Sequence, residues 1–321
     1  MNNNLPWIEK YRPKNINDIV SHIYILEYIK NAITTNSLVH MLFYGPCGVG
    51  KTSTIKTICN ILYGNNKSNM LLELNASDDR NINIVRERIK NFVSSKNNVD
   101  KKYKLVILDE ADQLTHEAQT GLCSILDNYV KNARFCIICN NISKLRNVLI
   151  SRCATFKFAP LPTQYILQYL GFIARNENII YSSDGLFAIV RICNGDLRRA
   201  INLLQSTHMS HGFINEDTVY DNINYPSPSQ IKKILCWIRT KSINDAYKKI
   251  NMYKAKMSYN LKGILPLLHN VLCKSCTNES KLLLIYVKFA DIENRLSIGC
   301  SEEIQTLCLI CTISNIVKMI K

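Results

Sequence analysis

The sequence predicts an α/β fold, with an open, mostly parallel sheet and helices on both faces, followed by regions built of helices. Three observations carry this. Gly45-Pro46-Cys47-Gly48-Val49-Gly50-Lys51-Thr52 fits the phosphate-cradling pattern G-x-x-x-x-G-K-[ST], between a strand-type run and a helical pattern. Leu105-Val106-Ile107-Leu108 reads as a buried strand that ends in Asp109-Glu110. Arg134-Phe135-Cys136-Ile137-Ile138-Cys139 reads as another, ending in Asn140-Asn141. Ligands of such sheets bind at the C-terminal ends of strands, and all three motifs stand at such ends.

In order along the chain, Leu5 to Pro13 is an extended, Pro-punctuated segment, with Trp7 and Tyr11 as expected core anchors. Ile16 to Ile33 reads as a helix and His40 to Tyr44 as a strand. Ser53 to Leu62 is the helix after the phosphate loop, with Ile55, Ile58, Cys59 and Leu62 at helical spacing. The glycines let backbone N–H groups converge on phosphate oxygens at its N-terminus. Lys51 can reach the β and γ phosphates, and Thr52 can hold Mg²⁺.

A polar linker, Tyr63 to Asn69, leads to a strand at Met70 to Leu74. Asn75 to Arg80 offers helix caps, and Ile82 to Phe92 is an amphipathic helix with Arg80, Arg86, Arg88 and Lys90 in or near it. Such charges often mark only a solvated face, but a basic cluster at a helix start suits nucleic-acid phosphates. Asp109 would support Mg²⁺, and Glu110 would orient or deprotonate the attacking water. His116 to Tyr129 reads as a helix and Ala154 to Phe158 as a last short strand, after Ser151-Arg152-Cys153.

Pro160-Leu161-Pro162 and Tyr225 to Ser229 read as linkers, giving segments 1–160, 161–224 and 225–321, the last two mainly helical. Asn194-Gly195-Asp196 breaks a helix, and Asp196 caps the next one, Leu197 to Gln205. Arg198 and Arg199 then stand in a first turn, where a cation opposes the helix dipole and an anion nearby would favour it.

The 321 residues suit two or three domains, and 47% hydrophobic residues can bury real cores. No apolar run approaches a membrane span, and Met1 to Trp7 is not a secretory signal, so a cytosolic or nuclear protein is expected. The net charge of +15 suits a polyanionic partner, nucleic acid first, although a generally basic composition produces the same number. Thirteen scattered cysteines fit a reducing compartment. Of the three C-x-x-C spacings, Cys136/Cys139 would point to opposite faces of a strand, Cys308/Cys311 sits in an apolar run, and Cys273/Cys276 has no second pair for zinc.

Trp7-Ile8-Glu9-Lys10-Tyr11-Arg12-Pro13, Glu73 to Arg80, Leu108 to Asp112, Ser151-Arg152-Cys153, Gly195 to Ala200 and Asp291 to Cys300 stand in the order seen in small subunits of replication factor C. The chain resembles that family, the eukaryotic sliding-clamp loader of the AAA+ ATPase superfamily, from about Leu5 to its final helices. Ile19 to His22, Lys104 to Leu108 and Leu203 to Thr207 narrow the resemblance to one particular type of small subunit within that family.

The resemblance implies an AAA+ P-loop ATPase domain, a helical lid and an all-helical collar. It implies ATP and Mg²⁺ as cofactors, and Ile8, Arg12 and Val20 around the adenine. Gly45, Pro46, Cys47, Gly48, Val49, Gly50, Lys51, Thr52 and Ser53 would hold the phosphates, with Thr52 and Asp109 on Mg²⁺. Asn140 would be the first sensor of the γ-phosphate and Arg198 the second. Arg152 would act in trans as an arginine finger on a neighbouring subunit's site. Arg80, Arg86 and Lys144 would contact DNA phosphates. Expected partners are other replication factor C subunits in a heteropentamer, the sliding clamp (PCNA) and primer–template DNA, in the nucleus.

The chain departs from the family's pattern at Cys47, where a second proline is usual, and at Asn81, where a glycine is usual. It also has Cys123-Ser124 where two arginines are common, which puts the support they give DNA or subunit contacts in question. The alternatives are a scaffold subunit that holds ATP without turnover, which the intact Glu110 opposes, and another AAA+ DNA-remodelling motor such as a branch-migration helicase. The Ser-Arg-Cys motif and the helical C-terminal segment oppose the latter.

Overall fold

A computed structural model describes residues 5–15, 18–19, 21–35, 37–64, 67–76, 82–94, 103–257, 259–275 and 279–318. The chain divides into two compact units, one of residues 1–178 and 189–205, the other of 179–188 and 206–321.

The first unit is built on five strands: β1 (Met41–Tyr44), β2 (Leu71–Asn75), β3 (Lys104–Asp109), β4 (Ala133–Cys139) and β5 (Ala154–Lys157). Their order is β2-β3-β4-β1-β5, and every pairing is parallel. Parallel strands need crossovers, which are helices here. They are α3 (Lys51–Tyr63), the short α4 (Lys67–Met70), α5 (Ile82–Ser94), α6 (His116–Asn128) and α7 (Asn147–Ile150); α1 (Trp7–Lys10) and α2 (Ile23–Thr34) precede them.

Successive strand residues face opposite sides, so each strand feeds two cores. Leu42, Val106, Phe135 and Ile137 pack with Leu122 and Leu126 of α6. Met41, Phe43, Ile107 and Ile138 pack with Ile29 of α2 and Ile55 of α3. Cys136 and Cys139 fall in different cores, as strand alternation requires.

The segment Leu5 to Pro13 is not extended throughout as expected, because Trp7–Lys10 forms the short helix α1. The helix expected from Ile16 begins only at Ile23, because His22 adopts the left-handed φ of 64°. Asp18 instead accepts from the backbone N–H groups of Lys14 (3.2 Å) and Asn15 (2.9 Å), a local turn that competes with helix. Met70 belongs to α4 rather than to β2, within a stretch expected to be a linker.

Beyond the sheet come α8 (Thr163–Asn176), β6 (Ile180–Tyr181), α9 (Ser183–Cys193), α10 (Leu197–His211), β7 (Phe213–Ile214) and α11 (Glu216–Asn222). Helix α10 runs past the expected end at Gln205. In the second unit, α12 (Pro228–Thr240), α13 (Ile243–Met257), α14 (Leu261–Ser275), α15 (Glu279–Ile298) and α16 (Glu302–Lys318) share one apolar core around Ile231, Leu268, Ile292 and Ile310. Helix α12 starts sharply because Ser227 and Gln230 cap each other and Pro228 presets the first turn. Glu302 ties three helices together: it pairs with the buried Lys254 of α13 and accepts from the Leu261 N–H of α14 at 2.8 Å.

Candidate functional site

The phosphate loop joins β1 to α3 and works only with glycine at its turns. Gly45 and Gly48 have φ of 148° and 69°. A Cβ at Gly45 would lie 2.1 Å from the Phe158 carbonyl oxygen, and one at Gly48 would lie 1.7 Å from Asp196 Oδ1. Glycine at these two positions lets the loop backbone lie directly against Phe158 and Asp196.

Lys51 opens α3 and is only 7% exposed. Its Nζ donates to the carbonyls of Gly45 (2.6 Å) and Pro46 (2.7 Å) and to Asn140 Oδ1 (2.9 Å). Burial pushes the ammonium below its ordinary value, and Cys47, Asp109, Cys139 and Asp112 oppose that shift. Thr52 Oγ1 donates to Asp109 Oδ2 at 2.8 Å. Asp109 Oδ1 accepts from the Glu110 N–H at 2.9 Å, and Glu110 itself sits in the left-handed region at φ 54°. The end of β3 therefore turns away from strand geometry at a residue that lines the cleft. The three strand-end motifs meet through two hydrogen bonds, Lys51–Asn140 and Thr52–Asp109.

These groups line a cleft of about 500 Å³ that continues past the N-terminal strap. Ile8, Arg12, Cys47 to Ser53, Asp109, Glu110, Asn140 and Arg198 all line it. Gly45 and Pro46 contribute the carbonyls that hold Lys51. Helix α10 docks directly on the loop: the Leu197 N–H donates to the Gly48 carbonyl at 3.2 Å, and Asp196 Oδ1 caps the helix through the Arg199 N–H at 3.0 Å. That docking is what brings Arg198 to the cleft.

A buried cation, a glycine-built loop and a helix N-terminus form a phosphate cradle. The hydroxyl of Thr52 and the carboxylate of Asp109 are hard oxygen ligands, the kind Mg²⁺ takes alongside substrate phosphates. Among the described residues no group of three or more His, Cys, Asp or Glu could hold a metal ion.

Several expected site residues stand elsewhere. Arg152 lies outside the lining of the cleft; its guanidinium holds both carboxylate oxygens of Asp127 (Nε–Oδ1 2.8 Å, Nη2–Oδ2 2.8 Å), and Nη1 donates to the Val148 carbonyl at 2.8 Å. The Arg152 guanidinium draws the Asp127 carboxyl below its ordinary value. Lys144 is exposed at the end of the short turn Ile142–Lys144. Arg86 lies on α5, with its side chain outside the described ones; Val20 and Arg80 lie outside the described residues. Cys123 is core and Ser124 is exposed.

The sequence reading overlooked Gln119, which is 1% exposed. Its amide donates to the carbonyls of Leu114 (3.2 Å) and Lys144 (3.1 Å) and accepts from the Arg146 N–H (2.8 Å). It thereby clamps the loop after Asn140 to α6. A polar amide on the buried stripe of α6 was the available signal. Tyr165 and Tyr169 of α8 line the cleft and were also overlooked. They carry no motif.

A parallel α/β sheet with this loop, acidic strand end and docked helical segment defines a P-loop ATPase of the AAA+ class. Residues 41–161 match the ATPase family associated with various cellular activities (AAA), 168–209 an RCF1/5-like AAA+ ATPase lid domain, and 226–312 the replication factor C C-terminal domain. The chain is 43% identical over 308 residues to mouse replication factor C subunit 5, covering 96% of this chain and 91% of the mouse protein. It is 37% identical over 311 residues to replication factor C subunit 3 of Saccharomyces cerevisiae, covering 94% and 91%. The chain belongs to the replication factor C family and is a clamp-loader subunit of its subunit 5/subunit 3 type. Its fold is shared with the Thermotoga maritima RuvB Holliday junction branch migration motor, at TM-score 0.54 and 17% identity over 75% of this chain and 85% of that one. Among the described residues no helix is long and apolar enough to cross a membrane.

Proposed function

We propose that this chain binds ATP with Mg²⁺ and hydrolyses it within a heteropentamer of replication factor C subunits. There it helps open the sliding clamp (PCNA) and place it on primer–template DNA, in the nucleus. The observation that carries the reading is the pair of hydrogen bonds, Lys51–Asn140 and Thr52–Asp109, which couples the phosphate loop to both neighbouring strand ends.

The division of labour follows from position. Lys51 and the loop N–H groups hold the phosphates. Mg²⁺, held by Thr52 and Asp109, would neutralise charge on the β and γ phosphates. Glu110 orients the attacking water and takes its proton. Asn140, which accepts from Lys51, would sense the γ-phosphate, and Arg198 would act as the second sensor from the lid. Ile8, Arg12 and Val20 would surround the adenine. Arg152 would serve the neighbouring subunit's site in trans, and Arg80, Arg86 and Lys144 would grip DNA phosphates without reading sequence. The segments 1–160, 161–224 and 225–321 would serve as ATPase, lid and collar, and DNA and clamp would stimulate turnover.

The test is DNA-stimulated ATPase of the reconstituted heteropentamer. Glu110→Gln should lower turnover at this site by roughly 10²–10⁴-fold. Arg152→Ala should lower it at the neighbouring site by roughly 10³–10⁵-fold. If neither change matters while clamps still load, the chain is a nucleotide-holding scaffold.

A further inference from the structure

Ile8, Arg12 and Pro13 line the cleft but belong to no strand of the sheet. The strap that carries them is tied to helices instead. Glu177, immediately after α8, accepts from Lys10 Nζ (2.5 Å) and from the Tyr11 hydroxyl (2.5 Å) on the same oxygen. Its side chain is 17% exposed. The Tyr169 hydroxyl of α8 donates to the Tyr11 carbonyl, and the Tyr11 ring meets Phe172 edge-on at 6.1 Å. Gln205 of α10 accepts from the Trp7 N–H at 3.0 Å. Burial and the Glu177 carboxylate both push the Tyr11 phenol above its ordinary value, so it stays protonated and remains a donor.

We propose that Glu177 is a positioning residue for the base of the nucleotide: through Lys10 and Tyr11 it holds Ile8 and Arg12 in place. It thereby sets affinity for ATP without setting affinity for the phosphates alone. This rests on the reading of the cleft as an ATP site. The physical reason is pre-organisation. A tied strap is ordered before binding, whereas an untied one is competent only part of the time, and the apparent affinity falls by that fraction. The phosphate cradle is formed by the sheet and α3, so it keeps its shape when the strap loosens.

Calorimetric titration of the full chain with Mg²⁺–ATP and, separately, with inorganic tripolyphosphate tests this. Glu177→Ala should weaken ATP by about tenfold, the scale of one lost charge-assisted hydrogen bond, and leave tripolyphosphate within about twofold. Glu177→Gln keeps an acceptor oxygen and should recover most of the loss. Tyr11→Phe, which removes one hydroxyl and keeps the ring, should weaken ATP by about threefold, and it carries the test if Glu177→Ala does not fold. Equal loss for both ligands would show general damage and overturn the proposal, as would variants that bind ATP like wild type. A wild-type chain that takes neither ligand sinks the nucleotide reading itself, and this inference with it.

Discussion

The two ends of the cleft are built by different means. The phosphate end is made where β1, β3 and β4 stop, and its groups are held by backbone that the sheet has already positioned. Lys51 is buried at 7% exposure, and its partners are carbonyls of its own loop and one strand-end amide. The end proposed for the base is made of a strap and helix faces, and its ties are side chains: Glu177, Tyr169 and Gln205. On the proposed reading, the phosphate end leans mainly on a loop and strand ends that the sheet positions, whereas the base end leans on side-chain ties that single hydroxyls or carboxylates supply.

Substitutions should separate the two ends. The largest effect is expected at Gly48. Gly48→Ala places a methyl 1.7 Å from Asp196 Oδ1 at a φ of 69°, so either the loop shifts or Asp196 swings away and gives up its bond to the Arg199 N–H. ATP and tripolyphosphate should both weaken by at least about 100-fold, since strain at such a residue is of order 1–3 kcal/mol before the clash is added. Equal affinity for wild type and Gly48→Ala would break the comparison. Next, Asp109→Asn leaves Thr52 with a weaker acceptor and, on the proposed reading, removes an anionic ligand of Mg²⁺. The Mg²⁺ concentration for half-maximal ATPase should rise by about tenfold, measured in the assembled complex.

A smaller effect belongs to the base end. Tyr169→Phe should raise the ATP dissociation constant by about threefold and leave tripolyphosphate unchanged, as one neutral hydrogen bond is lost. If tripolyphosphate weakens equally, the two ends are one cooperative unit.

A last effect, on stability rather than on binding, concerns the sheet that carries the phosphate end. His40, just before β1, is partly buried, its Nδ1 accepts from the Phe135 N–H at 3.2 Å, and burial lowers its pKa to about 4. The unfolded chain binds that proton near pH 6.5, the folded chain only near 4, so stability falls as pH drops through this window. Allowing for its partial exposure, the loss is on the order of 1–2 kcal/mol. Denaturant melts at pH 7 and pH 5 should show it, and His40→Asn should flatten the slope.

Much of the phosphate end was legible because its determinants are local. Gly45, Gly48, Gly50 and Lys51 lie within one turn and the start of one helix. Strand period 2 put Cys136 and Cys139 on opposite faces, and the apolar runs at Leu105 to Leu108 and Arg134 to Cys139 marked β3 and β4. The start of α2 was not legible, because the apolar residues before Ile23 continue a helical pattern that a left-handed His22 and the Asp18 turn interrupt.

The sequence by itself determined the sheet, the cradle and the family, because glycine placement, strand alternation and motif order are properties of neighbours in the chain. Only the tertiary structure decided that Tyr11 meets Glu177 across 166 positions, that Asp196 presses against Gly48, and that Arg152 is held by Asp127 away from its own cleft. Each of these is a contact between segments that local propensity does not couple. Which side chains meet is set by how helices pack on the sheet, and that packing is a sum over the whole core rather than a pattern in any one stretch.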